Sequence, residues 1–311
     1  MAAGRCSVAD AFLQPRPRVL VTGCTGQIGS ALLACAPDDL DVRGVSHGEF
    51  DIGSASDIAA VLAEHRPALI VNAAAYTAVD LAETEREQAF RVNAYGPAGL
   101  ADAARERGIR LVHLSSDFVF DGSVREPYRW NARTRPLSVY GASKAAGEAA
   151  VRSTTLAALI VRTSWVYAAH GRNFVHTMLR LLARPEPVRV VADQFGIPTH
   201  AGSFARALWP LIDSGATGIH HLTDAGATTW YDFAVAIGQE AHRLGLLPKP
   251  AAVTPIETRD YPTPARRPAF SVLDSDETWT GLGRRAPHWR SELRAVLSEL
   301  GKLGERGGAT A

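Results

Sequence analysis

The sequence has few of the residues that hold small or extracellular proteins together. Its three cysteines, Cys6, Cys24 and Cys35, are an odd number and form no Cys-x-x-Cys pair. That number and spacing argue against a disulfide framework and against a zinc site, and they fit a reducing cytoplasm. The sequence therefore predicts no metal site.

The chain also lacks an excess of charge and any long apolar run. Lysine and arginine total 33 against 32 acidic residues, so the net charge of +1 gives no basic surface for nucleic acid. The segment from Met1 to Pro17 holds no signal-peptide core, and no later stretch approaches the roughly 20 apolar residues of a membrane helix. With 46% apolar residues among 311, we expect a soluble, cytoplasmic protein of one large or two ordinary domains.

A glycine-rich loop near the start of the chain predicts a nucleotide site. An apolar run, 18–22, is followed by Gly23, Gly26 and Gly29, spaced Gly-x-x-Gly-x-x-Gly, and then by a helix-like segment, 30–36. Between a strand and a helix, such glycines permit a tight turn and let the backbone approach a pyrophosphate at the helix N-terminus.

The end of the second predicted strand, 41–45, bears on the choice of cofactor. A dinucleotide fold normally places an acid there to hold the ribose 2′-hydroxyl, but this chain has Ser46 and His47, with Glu49 as the next acid. Without a carboxylate at the strand end, we expect NADPH, its 2′-phosphate attracted by Arg43 or His47, with NADH as the alternative. An ordinary loop is the competing interpretation.

Strands and helices alternate through the first half of the chain. Buried strands are predicted at 68–71 and 110–114, with a long amphipathic helix over 88–107 between them. This alternation predicts an α/β fold, a doubly wound parallel (Rossmann) sheet, with a smaller C-terminal substrate domain. The predicted organisation is a disordered tail over 1–17, a dinucleotide-binding domain over 18–170 with additions from 188–225, a mainly substrate-binding domain over 171–303, and a tail over 304–311.

Tyr140 and Lys144 form the most reactive pair in the sequence. Four residues apart, they share one face of a helix, and the ammonium is expected to lower the phenol's pKa from about 10 toward neutrality. Such a phenol can exchange a proton with a carbonyl oxygen, and Ser116, at the end of the strand before it, can share that hydrogen bond. The alternative is two unrelated residues on a solvated helix.

Taken in order, these motifs resemble the dTDP-4-dehydrorhamnose reductase family, sugar-nucleotide reductases among the extended short-chain dehydrogenases/reductases. The resemblance extends from Val19 to about Leu300. The segments that carry it are 22–29, 72–80, 115–122, 140–148, 162–167, 193–199 and 265–273.

The resemblance implies roles for individual residues. The catalytic group would be Tyr140, Lys144 and Ser116, and the sugar nucleotide would contact Ser116, Asp117 and Trp165. The residues implied or predicted to bind the cofactor are Gly23, Gly26, Gln27, Ile28, Gly29, Ser46, Asp51, Ile52, Ala75, Tyr76, Thr77, Tyr140 and Lys144. Phe118 departs from a usual tyrosine and leaves the identity of the hexose open.

The implied activity is NAD(P)H-dependent reduction of the C4 ketone of a dTDP-4-keto-6-deoxy-L-hexose, above all dTDP-4-dehydro-L-rhamnose. Two alternatives are a 4-ketoreductase of an antibiotic deoxysugar pathway, such as dTDP-dihydrostreptose synthesis, and a non-catalytic nucleotide-binding regulatory subunit. The expected partners are a dTDP-sugar and a second copy of the chain in a homodimer, with neither nucleic acid nor membrane. Magnesium, bound by some relatives, has no matching carboxylate cluster here. Arg259, Arg266 and Arg267 are candidates for binding the substrate diphosphate.

Overall fold

The computed structural model of the protein describes residues 16–155, 157–249 and 252–308, with side chains through residue 303. The first fifteen residues of the predicted N-terminal tail, and 309–311 of the C-terminal one, lie outside the described residues. Of the helices so described, none combines the length and apolar character needed to cross a bilayer.

Strands and helices alternate as predicted. The strands are β1 (Arg18–Thr22), β2 (Asp41–Val45), β3 (Leu69–Asn72), β4 (Arg110–Ser116), β5 (Leu159–Thr163), β6 (Val166–Tyr167), β7 (Val188–Val191), β8 (Phe195–Gly196), β9 (Thr199–His200), β10 (Gly218–His221), β11 (Thr228–Thr229) and β12 (Val253–Ile256). The helices are α1 (Gln27–Ala34), α2 (Ala55–His65), α3 (Arg86–Phe90), α4 (Gly96–Glu106), α5 (Val139–Thr154), α6 (Phe174–Leu182), α7 (Ala201–Asp213), α8 (Trp230–Arg243), α9 (Asp276–Gly281) and α10 (Trp289–Gly308).

The central sheet has the strand order β10-β5-β4-β3-β1-β2, and every neighbouring pair is parallel. Successive side chains of β1 enter different cores, because side chains alternate across a strand. Val19 and Val21 pack with α1 and α7 on one face, whereas Leu20 packs with α2 and α4 on the other. The predicted doubly wound parallel fold is confirmed, and its ligand edge is the one where the strands end.

The helix predicted over 88–107 is instead divided. A π-helical turn over Arg91–Tyr95 separates α3 from α4. Pro97 has no amide hydrogen for the carbonyl of Asn93, four residues earlier, so the regular α-helical ladder is interrupted there. That carbonyl faces α5, where a β-carbon on Gly147 would lie 2.1 Å from it.

The later part of the chain contributes to two cores. Helix α7 packs on the central sheet and β10 extends that sheet, whereas β7 pairs with β12. A separate core forms among α6, α8 and α10, around the buried rings of Tyr167, Phe233 and Trp289. The domain limits given above stay predictions.

Candidate active site

The glycine loop is packed so closely that larger residues would not fit. Gly23 has φ +68°, and a β-carbon there would lie 2.7 Å from the backbone of Ala74 after β3. A β-carbon on Gly29 would lie 2.2 Å from the Gly23 carbonyl. Gly26 precedes the first turn of α1, whose free amides face the carboxyl edge of the sheet. This is the cradle that a dinucleotide pyrophosphate needs.

The helix that carries Tyr140 and Lys144 begins beside β4. Ser138 caps α5 by accepting a hydrogen bond from the Gly141 amide at 3.1 Å. Gly141 packs against the chain after β4, since a β-carbon there would lie 2.2 Å from the Phe118 carbonyl. The helix therefore holds its first turns against the end of β4.

Lys144 is buried, with 2% of its surface exposed, and its ammonium donates a hydrogen bond to the Leu114 carbonyl at 2.7 Å. Burial lowers its pKa to about 8, and the negative charge of Glu148 one turn later opposes that shift. The carboxylate of Glu148 is held by Arg162 in two hydrogen bonds of 2.7 and 2.8 Å. Burial thus makes this lysine easier to deprotonate than a solvent-exposed one.

Tyr140 is half-buried at the same edge. Burial raises its pKa to about 12, hydrogen bonding by the Ser116 hydroxyl lowers it, and the charge of Asp117 raises it. The direction is opposite to the one predicted from the sequence, because the desolvation of the phenolate is the largest effect in this structure. The phenol is consequently protonated at neutral pH.

Asp117 connects the end of β4 to the C-terminal part of the chain. One carboxylate oxygen accepts from Ser271 at 2.6 Å and the other from Ser116 at 3.0 Å. Burial raises the pKa of Asp117 to about 6, and the two hydroxyl groups oppose the shift. Sequence reasoning gave no role to Ser271, which lies 154 residues away in a segment that carries the family resemblance.

Two aromatic contacts border this group. Phe118 meets the Tyr140 ring edge to face, with ring centroids 5.6 Å apart. Trp165 has φ +44°, rare for a bulky residue, and stacks on Trp230 at 3.5 Å. Gly196 makes room for this arrangement, since a β-carbon there would lie 2.4 Å from the Trp165 ring. Trp230 was missed because it lies 65 residues further along the chain.

Thr163 was also missed. Its register places it beside Ser116, at the ends of β5 and β4. The hydroxyl of Thr163 is buried and has no hydrogen-bond partner within the described part of the chain. An unpaired buried hydroxyl next to Ser116 is a candidate substrate contact.

The segment after β3, predicted to touch the cofactor, is held by the π turn. Asn93 accepts from the Tyr76 amide at 2.9 Å and donates to the Tyr76 carbonyl at 3.0 Å. The Asn93 amide also donates to Ser143 on α5 at 3.0 Å. This asparagine thus joins the predicted residues Ala75, Tyr76 and Thr77 to the helix of Tyr140.

The end of β2 differs from the sequence expectation. The Glu49 carboxylate accepts hydrogen bonds from the Ser46 amide at 2.9 Å and from its hydroxyl at 2.6 Å. The expectation that no carboxylate stands at this strand end is therefore wrong. Further along, Asp51 pairs with Arg91, and Ile52 is buried in the sheet's core.

The three candidate arginines have different environments. Arg267 donates to both carboxylate oxygens of Asp80, at 2.7 and 3.0 Å, across 187 residues. Arg259 is exposed and pairs with Glu257 at 2.9 Å, whereas Arg266 is exposed. Arg267 therefore clamps its loop to the chain after β3, and Arg266 is the more accessible candidate for a diphosphate.

Comparison with known proteins agrees with this arrangement. Over residues 17–302 the chain matches the family model described as RmlD substrate binding domain. It is 40% identical to a dTDP-4-dehydrorhamnose reductase of Sinorhizobium fredii, over 91% of this chain and 97% of that protein. It is 43% identical to a probable dTDP-4,6-dihydroxy-2-methyloxan-3-one 4-ketoreductase of Streptomyces antibioticus, over 91% of this chain and 95% of that one.

A solved structure is similar throughout. It is the dTDP-4-dehydrorhamnose reductase of Bacillus anthracis in complex with NADP, with a TM-score of 0.86 and 35% identity. The match covers 92% of this chain and 100% of the solved one. The resemblance inferred from the sequence motifs is confirmed, and the chain belongs to the RmlD family of dTDP-4-dehydrorhamnose reductases.

Proposed function

We propose that the protein reduces the C4 ketone of a dTDP-4-keto-6-deoxy-L-hexose, with dTDP-4-dehydro-L-rhamnose as the substrate and dTDP-L-rhamnose as the product. The observation that carries this proposal is the grouping of Tyr140, Ser116 and Lys144 at the ligand edge of the sheet. The family relatives over more than nine tenths of the chain support the same chemistry.

The glycine cradle fits a nicotinamide dinucleotide, which supplies a hydride when bound. Gly23, Gly26, Gln27, Ile28 and Gly29 would hold its pyrophosphate. The segment 75–77, which Asn93 fixes, and the Lys144 ammonium would face the rest of the cofactor, while Asp51 and Ile52 would flank the adenine. The NADP-bound relative favours NADPH, and the carboxylate at the end of β2 opposes it.

Tyr140 acts as the general acid in this proposal. With its pKa raised to about 12, the phenol keeps its proton at neutral pH. It can then donate that proton to the C4 ketone oxygen of the substrate, which becomes the hydroxyl of the product. When the ketone binds, the Ser116 hydroxyl would turn its hydrogen from Asp117 to the same oxygen, and the Lys144 ammonium would stabilise the phenolate that remains. The high pKa therefore suits the reductive direction.

The sugar would lie between the catalytic group and the C-terminal part of the chain. In this proposal Asp117, held by Ser271, and Trp165, held by its stack on Trp230, would contact the sugar. Phe118 offers no hydroxyl there. That feature, together with the Streptomyces antibioticus relative, favours a modified deoxysugar as the second candidate substrate.

The test is an NAD(P)H-consumption assay with dTDP-4-keto-6-deoxyglucose and a 3,5-epimerase, with the product identified by NMR. We expect dTDP-L-rhamnose from the wild type and loss of turnover in Tyr140→Phe. Turnover only with other dTDP-ketosugars would move the assignment to the second candidate. Cofactor binding without turnover of any ketosugar would instead indicate the regulatory subunit.

A further inference from the structure

A loop near the end of the chain is fixed at both of its ends. This loop, residues 258–267, is called the strap. At its start, the Asp193 carboxylate accepts hydrogen bonds from the Thr258 amide at 2.9 Å and from the Thr258 hydroxyl at 2.7 Å. At its other end, Asp80 accepts two hydrogen bonds from Arg267, at 2.7 and 3.0 Å. The residues between these two anchors are therefore held in place by contacts with distant parts of the chain.

Both anchors lie beside the proposed active site. Asp80 follows the segment 75–77, which faces the cofactor in the proposed function. Asp193 lies just before Gly196, which packs so closely on the Trp165 ring that a β-carbon would lie 2.4 Å from it. The strap therefore extends from the neighbourhood of the proposed sugar contact to that of the proposed cofactor contact.

The strap exposes one aromatic ring and one free cation. Tyr261 is 59% exposed. Pro262 and Pro264 follow it, and their rings restrict the backbone that carries the phenol. Arg266 is exposed as well, and within the described ranges it has no carboxylate partner, whereas the strap's other two arginines each pair with one. The strap thus offers a ring and a positive charge to a ligand.

A nucleoside diphosphate matches these two groups. A base presents a flat π face on which an aromatic side chain stacks. A diphosphate presents anionic oxygens to which a guanidinium donates parallel hydrogen bonds. Because the anchors and the prolines already limit the freedom of the strap, ordering it around a ligand costs little conformational entropy.

We propose that the strap binds the nucleoside diphosphate portion of the substrate, with Tyr261 stacked on the thymine and Arg266 bound to the diphosphate. The sugar then extends inward from the strap to Ser116 and Tyr140. The inference rests on the proposed function, since the dTDP-sugar is the substrate of that function. Tyr261 had no role in the sequence expectation, which placed only arginines near the diphosphate.

The test measures nucleotide binding without any ketosugar. Solutions of dTDP and of inorganic pyrophosphate are each titrated into the full-length chain by isothermal titration calorimetry. In Tyr261→Ala, the Kd for dTDP should rise on the order of tenfold, the usual effect of losing one stacked base, while the Kd for pyrophosphate should change by less than about twofold. Tyr261→Phe keeps the ring and should bind dTDP to within about twofold of the wild type.

Arg266→Ala should weaken the binding of both dTDP and pyrophosphate, because both ligands carry the diphosphate charge. Each Kd is expected to rise on the order of tenfold at low salt, and added salt should narrow the difference between variant and wild type. The matched controls are Tyr95→Ala and Arg105→Ala, which remove an exposed ring and an exposed cation outside the strap. Both controls should keep the wild-type Kd values.

A dTDP Kd that changes by less than about twofold in Tyr261→Ala would overturn the base contact. An equal loss of pyrophosphate binding in that variant, or a Tyr261→Phe variant as weak as Tyr261→Ala, would overturn it too. Unchanged binding of both ligands in Arg266→Ala would overturn the diphosphate contact, and a wild type that does not bind dTDP would overturn the whole inference. A wild type that binds dTDP but reduces no ketosugar contradicts the proposed function alone and leaves the strap assignment in place.

Discussion

The buried ion pair behind the catalytic helix gives the sharpest prediction about stability. Glu148 on α5 and Arg162 on β5 are 5% and 2% exposed, and their two hydrogen bonds form a fork between helix and sheet. Arg162 also donates to the Trp130 carbonyl at 3.0 Å and lies over the Phe120 ring. In Glu148→Ala, the guanidinium stays buried with no carboxylate to neutralise it.

Because the remaining charge is uncompensated, Glu148→Ala should lower the free energy of unfolding by about 3–5 kcal/mol. That is a large part of the roughly 5–15 kcal/mol that stabilises a domain. Urea denaturation followed by circular dichroism measures the loss. The control is Asp102→Ala, since Asp102 and Arg105 form an exposed pair at 3.8 Å, worth at most about 1 kcal/mol.

A double variant separates the cost of an unpaired charge from the worth of the pair. The double variant Glu148→Leu with Arg162→Met removes both charges. It should therefore be more stable than the single variant Glu148→Leu, and its free energy of unfolding should approach that of the wild type. Additive losses, or a Glu148→Ala loss below about 1 kcal/mol, would refute the reasoning. A second readout is the pH dependence of activity. Without the negative charge of Glu148, the pKa of Lys144 should fall below about 8, so that this lysine titrates at lower pH.

Three further outcomes are expected. Tyr140→Phe should reduce kcat by about 10²–10⁴ while the cofactor's Kd changes little, and a loss under about threefold would contradict its role as the general acid. Phe118→Tyr should keep or improve kcat/KM for dTDP-4-dehydrorhamnose, whereas a drop of roughly tenfold or more, the cost of an unpaired buried hydroxyl, would indicate that the substrate is another hexose. Asp224 is a buried residue after β10 that accepts hydrogen bonds from the His200 amide at 2.9 Å and from the Ser203 hydroxyl at 2.6 Å. Burial raises the pKa of Asp224 to about 7, so its contribution to stability is present below pH 4 and is lost as the pH rises through 7. In Asp224→Asn the Tm should fall less between pH 5 and 8 than in the wild type, and parallel Tm curves would exclude this titration as a cause.

Local sequence was sufficient for much of the fold and for the catalytic pair. The glycine spacing of 23–29 predicted the turn between β1 and α1, because only glycine tolerates such close backbone approach. Apolar runs predicted the strands of a parallel sheet buried on both faces. The spacing of Tyr140 and Lys144 placed them on α5 because helical periodicity is a local property.

Tertiary structure decided the partners and the charges. Asp117 is hydrogen-bonded to Ser271, and Asp80 to Arg267. Each pair is more than 150 residues apart in the chain, so the spacing of residues in the sequence predicts neither contact. The pKa of Tyr140 moves upward because burial, which depends on how the whole chain packs, outweighs the nearby hydroxyl.

Ser46 and Glu49, at the end of β2, show the same difference between what the sequence determines and what folding determines. The sequence supplied Ser46 and Glu49, but their order suggested a strand end without an acid. In the folded chain a turn brings the Glu49 carboxylate back to Ser46, where it accepts hydrogen bonds from the amide and from the hydroxyl. Sequence thus determined which groups are available, and folding determined which of them meet, because hydrogen bonding and burial depend on distances in space rather than along the chain.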